Sequence, residues 1–327
     1  MPEQALDLAS LPTIDEIRSA QELVYTVMSP TPQIVWPLLC ERLDAEVWTK
    51  HENHTPIGAF KARTAVVYAA ELFRGTKAIT GLVTATRGNH GQSVALAAKR
   101  FDVPAYVLIP VGNSSEKNAA MRAQGANLIE FGHDYQEAKE QAQRLAAERG
   151  WHFVPSYHRD IVKGVATYWM EFFSAVQDAD VVYVPIGQGS GICSCVAVRN
   201  GLNLKTKIVG VVAAGAPAYA LSFEAGRKIA APVTTLLGDG MACRVPDEAS
   251  LAVVLQNVER VIQVTEEEIA NAMRILFTDT HNVAEGAGAA SLAAALKEKS
   301  ILHGKRVGLV LSGGNVDREV FVRVLQG

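Results

Sequence analysis

No apolar run in the 327-residue chain reaches the roughly 18 residues of a membrane-spanning helix, so no span is expected. The start, MPEQALDLASLPTIDEI, is acidic and has no apolar stretch of the secretion-signal kind, so the chain reads as unexported. Cysteine is scarce. Cys40, Cys193, Cys195 and Cys243 are the only four, without a CxxC pair. That opposes a disulfide scaffold or a zinc site and favours buried thiols in a reduced, cytoplasmic protein. An excess of one charge is also missing. The formal net charge is −3, which supports neither nucleic-acid nor anionic-membrane binding. Repeats and low-complexity segments are absent. His51, His54, His133, His152, His158, His281 and His303 show no metal-ligand spacing and read as loop or surface residues.

What is present is a large apolar fraction, 49%, enough for a packed core. Short β-rich runs alternate with long helical patterns. GLVTAT, PAYVLIP, NLIEFG and HFVPSY read as strands, separated by helical stretches such as SEKNAAMRAQG and DYQEAKEQAQRLAAERG. A second series contains DADVVYVP, TKIVGVVAAG and KRVGLVLSGG. Strands apolar throughout have both faces covered, so an α/β fold with two parallel sheets is expected. Tyr168, Trp169 and Phe172 read as helix core, and Thr265 with Glu268 as a capping box. Ligands on such sheets sit at the carboxyl ends of strands.

Glycine-rich turns fall at such ends. VVYVPIGQGSGICS runs from a strand into Gly187, Gln188, Gly189 and Ser190, where backbone N–H groups and a helix start can hold a phosphate. The following strand ends in alanine and glycine instead of the acid a dinucleotide fold uses, and there is no GK[ST] for a triphosphate. HENHTPIGAFKARTA places Lys61 in the first turn of an expected helix. The helix dipole disfavours a cation there, which lowers the amine's pKa and frees it as a nucleophile. An activated lysine with a monophosphate cradle is what pyridoxal 5′-phosphate requires. In LVLSGGNVD, Ser312 ends a strand beside Gly313 and Gly314. A neutral hydroxyl at the pyridine nitrogen makes a weaker electron sink than a carboxylate would, and favours β-elimination over transamination. In TATRGNHGQS, Asn89 can bond a cofactor ring oxygen, and the helix-start amides can bind a substrate carboxylate.

GAFKAR, TRGNHGQ, PIGQGS, EGAGA and SGGNVD occur in the order and at spacings like those of the fold-type II pyridoxal-phosphate enzymes. The chain resembles their threonine/serine dehydratases and serine racemases over nearly its whole length. The resemblance implies a two-lobed, three-layer αβα architecture of the tryptophan synthase β type. The implied division is a discontinuous cofactor-binding lobe, residues 1–82 and 159–327, around a small α/β lobe, residues 83–158. It implies Lys61 as the lysine that joins the cofactor and moves the Cα proton, and Phe60 packed beside the ring. Asn89 is implied at the ring hydroxyl, and Gly187, Gln188, Gly189 and Ser190 at the phosphate. Glu285 is implied near the cofactor, Ser312 at the pyridine nitrogen, and Thr86, Gly88 and His90 around the substrate carboxylate. Asp239 and Gly240, in TLLGDGMA, resemble the family's Asp-Gly segment.

Three positions depart from that pattern. Arg87 replaces the second serine of SSGNH, the far-face acid/base of racemases; a guanidinium is a poor base, so racemisation is not expected. Arg87 is expected to reach the substrate, at its carboxylate or at a second acidic group, unless it points to solvent or caps a loop. Val212, Ala213 and Ala214 supply no acid where relatives hold a divalent cation, so no magnesium or calcium is expected there. VKGVATYWME lacks the glutamine of the dehydratases' GQGT. The expected activity is β-elimination from a small β-hydroxy amino acid such as threonine or serine, giving a 2-oxo acid and ammonia in a cytoplasmic homodimer. Other lyase or β-replacement reactions on the same cofactor, with acidic, bulky or diamino substrates, remain open, as does a non-catalytic binding protein. The chain stops soon after SGGNVD, so isoleucine feedback through a further domain is not expected.

Overall fold

Apolar strands covered on both faces set the architecture. The computed structural model describes residues 10–75 and 79–327; the acidic residues 1–9, part of the basis for the unexported reading, lie outside them. The strands are β1 (Gln33–Val35), β2 (Glu46–His51), β3 (Leu82–Ala85), β4 (Ala105–Ile109), β5 (Ala126–Glu130), β6 (His152–Phe153), β7 (Val181–Pro185), β8 (Lys207–Ala213), β9 (Arg260–Val264) and β10 (Arg306–Leu311). The helices are α1 (Ile14–Val24), α2 (Pro37–Leu43), α3 (Ala62–Gly75), α4 (Asn89–Arg100), α5 (Ser115–Ala123), α6 (Tyr135–Arg149), α7 (Arg159–Ala175), α8 (Ser190–Gly201), α9 (Ala218–Ala225), α10 (Glu248–Asn257), α11 (Glu266–Thr280), α12 (Gly286–Lys297) and α13 (Arg318–Gln326).

One sheet has the order β1-β2-β10-β7-β8-β9, the other β5-β4-β3-β6. Every pairing is parallel except β1 with β2, so the larger sheet is mixed rather than wholly parallel. The antiparallel strand lies at the edge, where a short connection from β1 through α2 can return the chain beside itself. The four-stranded sheet lies within residues 82–153, and Leu82, assigned by the sequence to the larger lobe, is the first residue of β3.

Alternation along β7 shows why this sheet needs helices on both sides. Val182 and Val184 join the cluster containing Trp169, Phe172 and Phe173 of α7. Val181 and Tyr183 join the opposite cluster, with Ile269 and Met273 of α11 and Leu292 of α12. Tyr168, Trp169 and Phe172 are buried, as the core reading requires. Thr265 and Glu268 form the expected reciprocal cap on α11.

Two buried cations carried no signal in the sequence. Lys50, on β2, is fully buried and bonds Glu171 at 2.6 Å and the Thr31 carbonyl at 2.7 Å. Arg63, on α3, is equally buried and forks onto Glu52 and Glu171. Two cations thus face two carboxylates, which is the condition for keeping such charges inside. His51, expected at a surface, is also buried; its Nε2 accepts from Trp36 Nε1 at 2.9 Å. Burial pushes its pKa down to about 4, so the ring is neutral.

Candidate functional site

The loops at the carboxyl ends of β3 and β10 converge with the loop before α12 on a single buried carboxylate, Glu285. Asn89, the first residue of α4, donates from Nδ2 to both Glu285 oxygens, at 2.9 and 3.1 Å. Its Oδ1 accepts from Asn315 at 2.7 Å. Small residues make the approach possible. A methyl group on Gly313 would lie 2.5 Å from Glu285 Oε1, and one on Gly288 would lie 2.2 Å from the Gly313 carbonyl. One on Gly187 would lie 2.7 Å from the Gly240 carbonyl. Only glycine lets these backbones come so close.

Burial pushes the Glu285 pKa up to about 7. The Asp239 charge raises it too, while Lys117 and the Asn89 bond act in the opposite direction. Lys117 is itself tied to Asp239 at 2.6 Å.

Lys61 lies one residue before α3, not within its first turn. Its carbonyl accepts from Thr64 N at 3.1 Å, from Thr64 Oγ1 at 2.8 Å and from the Ser93 hydroxyl. These bonds fix the backbone and leave the side chain free. The amine stands 4.9 Å from the Phe60 ring centroid and has no hydrogen-bond partner among the described residues. Its pKa is lowered to about 8, and the cause is burial, not the helix dipole. Phe60 is oriented by an edge contact with Tyr168, centroids 6.3 Å apart, and its N–H donates to the Ser312 carbonyl at 2.9 Å. The buried Ser312 hydroxyl has no partner among the described residues.

At the β7–α8 turn, Gly189 adopts φ +97°, a left-handed conformation, and a methyl group there would meet Ser250 Oγ at 2.5 Å. Tyr219 donates to the Gln188 carbonyl at 3.1 Å and shares a hydroxyl bond with Ser250. The Gln188 side chain turns toward Cys243 Sγ, 3.6 Å away. No main-chain bond is made by the Gly187, Gln188 and Gly189 amides among the described residues, and buried Ser190 opens α8. These amides and the positive helix start form an anion cradle.

At the β3–α4 turn, Thr86 Oγ1 accepts from Gly88 N at 3.1 Å. His90 is buried, its Nε2 3.4 Å from the Val154 carbonyl and its Nδ1 without a partner. Burial, with a smaller effect of Lys61, lowers its pKa to about 3, so the ring stays neutral. Arg87 is exposed and lines a cavity of about 200 Å³ with Lys117, Asp239, Glu285, Asn315 and Asp317.

The structure therefore gathers Phe60, Lys61, Asn89, Glu285 and Ser312 and places Arg87 on an adjoining cavity. Asn89, expected at a ring oxygen, has its amide engaged by Glu285 and Asn315. Asn315 went unassigned in the sequence although it follows the quoted SGG; Lys117, Tyr219 and Ser250 carried no local signal. Three sets of unpaired polar groups, the Lys61 amine, the Ser312 hydroxyl and the 187–189 amides, match the aldehyde, ring nitrogen and phosphate of pyridoxal 5′-phosphate. Among the described residues, no three His, Cys, Asp or Glu side chains gather as a metal site.

Residues 24–313 match the family described as "Pyridoxal-phosphate dependent enzyme". L-threonine ammonia-lyase of Thermotoga maritima is 34% identical over 315 residues, covering 96% of this chain and 78% of that protein. L-threo-3-hydroxyaspartate ammonia-lyase of Saccharomyces cerevisiae is 30% identical over 318 residues, 97% of each. The maize serine racemase structure superposes with a TM-score of 0.88 at 28% identity, over 97% of this chain and 98% of that one.

Proposed function

The chain belongs to the pyridoxal-phosphate dependent enzymes, and from that membership we infer an ammonia-lyase that turns a small β-hydroxy amino acid, such as threonine or serine, into a 2-oxo acid and ammonia. Bound pyridoxal 5′-phosphate supplies the electron sink that makes a substrate Cα–H acidic.

The protein's residues divide the remaining work. The amides of Gly187, Gln188, Gly189 and Ser190 would hold the phosphate. Phe60 would pack beside the ring, and the Ser312 hydroxyl would meet the ring nitrogen without imposing a charge on it. The amides of Asn89 and His90, beside Thr86 and the Gly88 amide that it holds, would surround the substrate carboxylate at the start of α4. Lys61 would join the cofactor at its aldehyde, and its Nζ is the group that would take the substrate's Cα proton. With its pKa near 8, a useful fraction of that amine is uncharged at neutral pH. The net change would be loss of water and then of ammonia from the amino acid, leaving the 2-oxo acid.

The observation that carries this reading is the half-buried, unpartnered Lys61 amine in a site whose phosphate cradle and ring-facing hydroxyl are also unpaired. Protein reconstituted with the cofactor is expected to release 2-oxo acid from serine or threonine. Borohydride reduction is expected to leave a cofactor mass on Lys61. Lys61→Ala is expected to lose activity by about a thousandfold or more. A Lys61→Ala enzyme that keeps its turnover would overturn the assignment. A cytoplasmic location, supported by four free thiols, and a homodimer belong to the same proposal. No helix of the described residues is long and apolar enough to cross a membrane.

A further inference from the structure

Arg87 has no part in the chemistry above, yet its side chain lines the cavity that shares Glu285 and Asn315 with the site. We propose that Arg87 recognises a second carboxylate on the substrate's β-carbon, so that the preferred substrate is a four-carbon β-hydroxy amino dicarboxylate such as 3-hydroxyaspartate. The proposal rests on the lyase reading and adds the identity of the side chain.

The α-carboxylate already has donors in the amides that open α4, so the five N–H donors of a guanidinium are surplus to it. Of the two cations lining the cavity, Lys117 is spent on Asp239 at 2.6 Å, and its stem packs over Gly88. The Arg87 guanidinium has no hydrogen bond or ion pair among the described residues; only its carbonyl is engaged, by Asn113 Nδ2 at 3.3 Å. The acidic groups on the same wall are occupied. Asp239 holds Lys117, Asp317 accepts from Ser114 at 2.7 Å, and Glu285 accepts from Asn89. A cationic side chain would find those carboxylates committed, while an anionic one finds an open planar fork that suits a carboxylate.

The chemistry balances without an oxidant. The Cα–H and Cβ–O bonds break and water leaves; the released imine takes up water and loses ammonia. The net change is 3-hydroxyaspartate to oxaloacetate plus ammonia.

The test compares reconstituted wild type, Arg87→Ser and Arg87→Lys on L-threo-3-hydroxyaspartate and L-threonine. It also measures calorimetric binding of L-malate, which has two carboxylates, against L-lactate, which has one. Wild type is expected to favour the dicarboxylate by about tenfold or more in kcat/KM. Arg87→Ser is expected to lose roughly a hundredfold on it, mainly through KM, with threonine changed less than about threefold. Malate affinity should fall by about tenfold in the serine variant while lactate affinity holds, and Arg87→Lys should lie between. Because Arg87 is exposed, unchanged thermal midpoints are expected. Equal dicarboxylate selectivity and malate affinity in Arg87→Ser would overturn the proposal, as would wild-type turnover of threonine but not of the dicarboxylate; both leave the lyase reading standing. Malate binding that depends on Arg87, with no 2-oxo acid from any β-hydroxy amino acid, would support the anion site and sink the lyase reading instead.

Discussion

Glu285 accepts from Asn89 at the buried meeting of two loops, and burial has the largest effect on its protonation. With a folded pKa near 7 against an ordinary 4.5, it keeps its proton after an unfolded chain has released its own. Below about pH 4.5 both states are protonated and the residue is neutral in the balance. Between about 4.5 and 7 the unfolded state binds fewer protons, so stability falls as pH rises, by about 3 kcal/mol in all. Glu285→Gln is therefore expected to match wild type near pH 4 and to melt higher above pH 7. Thermal denaturation of the apoprotein across pH 4–9 measures this, and parallel curves for the two proteins would refute it. Lys61, Asn89 and Ser312 could be singled out in the sequence because each sits in a short motif beside a strand end, although the bonds of Asn89 to Glu285 could not. Asn315 and Lys117 were not. Asn315 acts through Asn89, 226 positions away, and Lys117 through Asp239, 122 positions away.

Turns between strand and helix carry the chemistry at the next scale. The β7–α8 turn depends on Gly189, whose φ of +97° and contact with Ser250 both exclude a side chain. Gly189→Ala is expected to cost about 1–3 kcal/mol and to weaken cofactor binding by tenfold or more. Chemical denaturation and equilibrium dialysis against pyridoxal 5′-phosphate test the two parts. Unchanged affinity would mean that this turn does not hold the phosphate. Such turns are readable because glycine spacing after an apolar strand is a local signal. β2 escaped notice for the opposite reason. Its sequence, EVWTKH, contains a lysine that Glu171, 121 residues on, together with nearby acceptors makes tolerable inside.

The two lobes meet across the cavity through α5. Lys117 bonds Asp239, Ser114 bonds Asp317, and the Arg318 amide donates to Glu116 at 3.1 Å. Asp239→Asn removes the one ion pair among these contacts and frees a lysine beside Glu285. Amide exchange in α5 is expected to quicken severalfold. The Glu285 titration is expected to move below 7, because the variant both removes a raising charge and leaves Lys117 unpaired. Exchange mass spectrometry and the pH profile of kcat/KM report these changes; an unaltered profile would show that Asp239 does not govern Glu285.

The sequence alone determined the α/β alternation and the cofactor, and singled out Lys61 as the lysine proposed to receive it. Those follow from hydrophobic periodicity and glycine placement, which act over a few residues. The tertiary structure decided the antiparallel edge strand, the burial of Lys50, His51 and Arg63, the cause of the lowered Lys61 pKa, and the meeting of the motifs on Glu285. Each depends on desolvation and on partners distant in the chain, and neither exists until the lobes have packed.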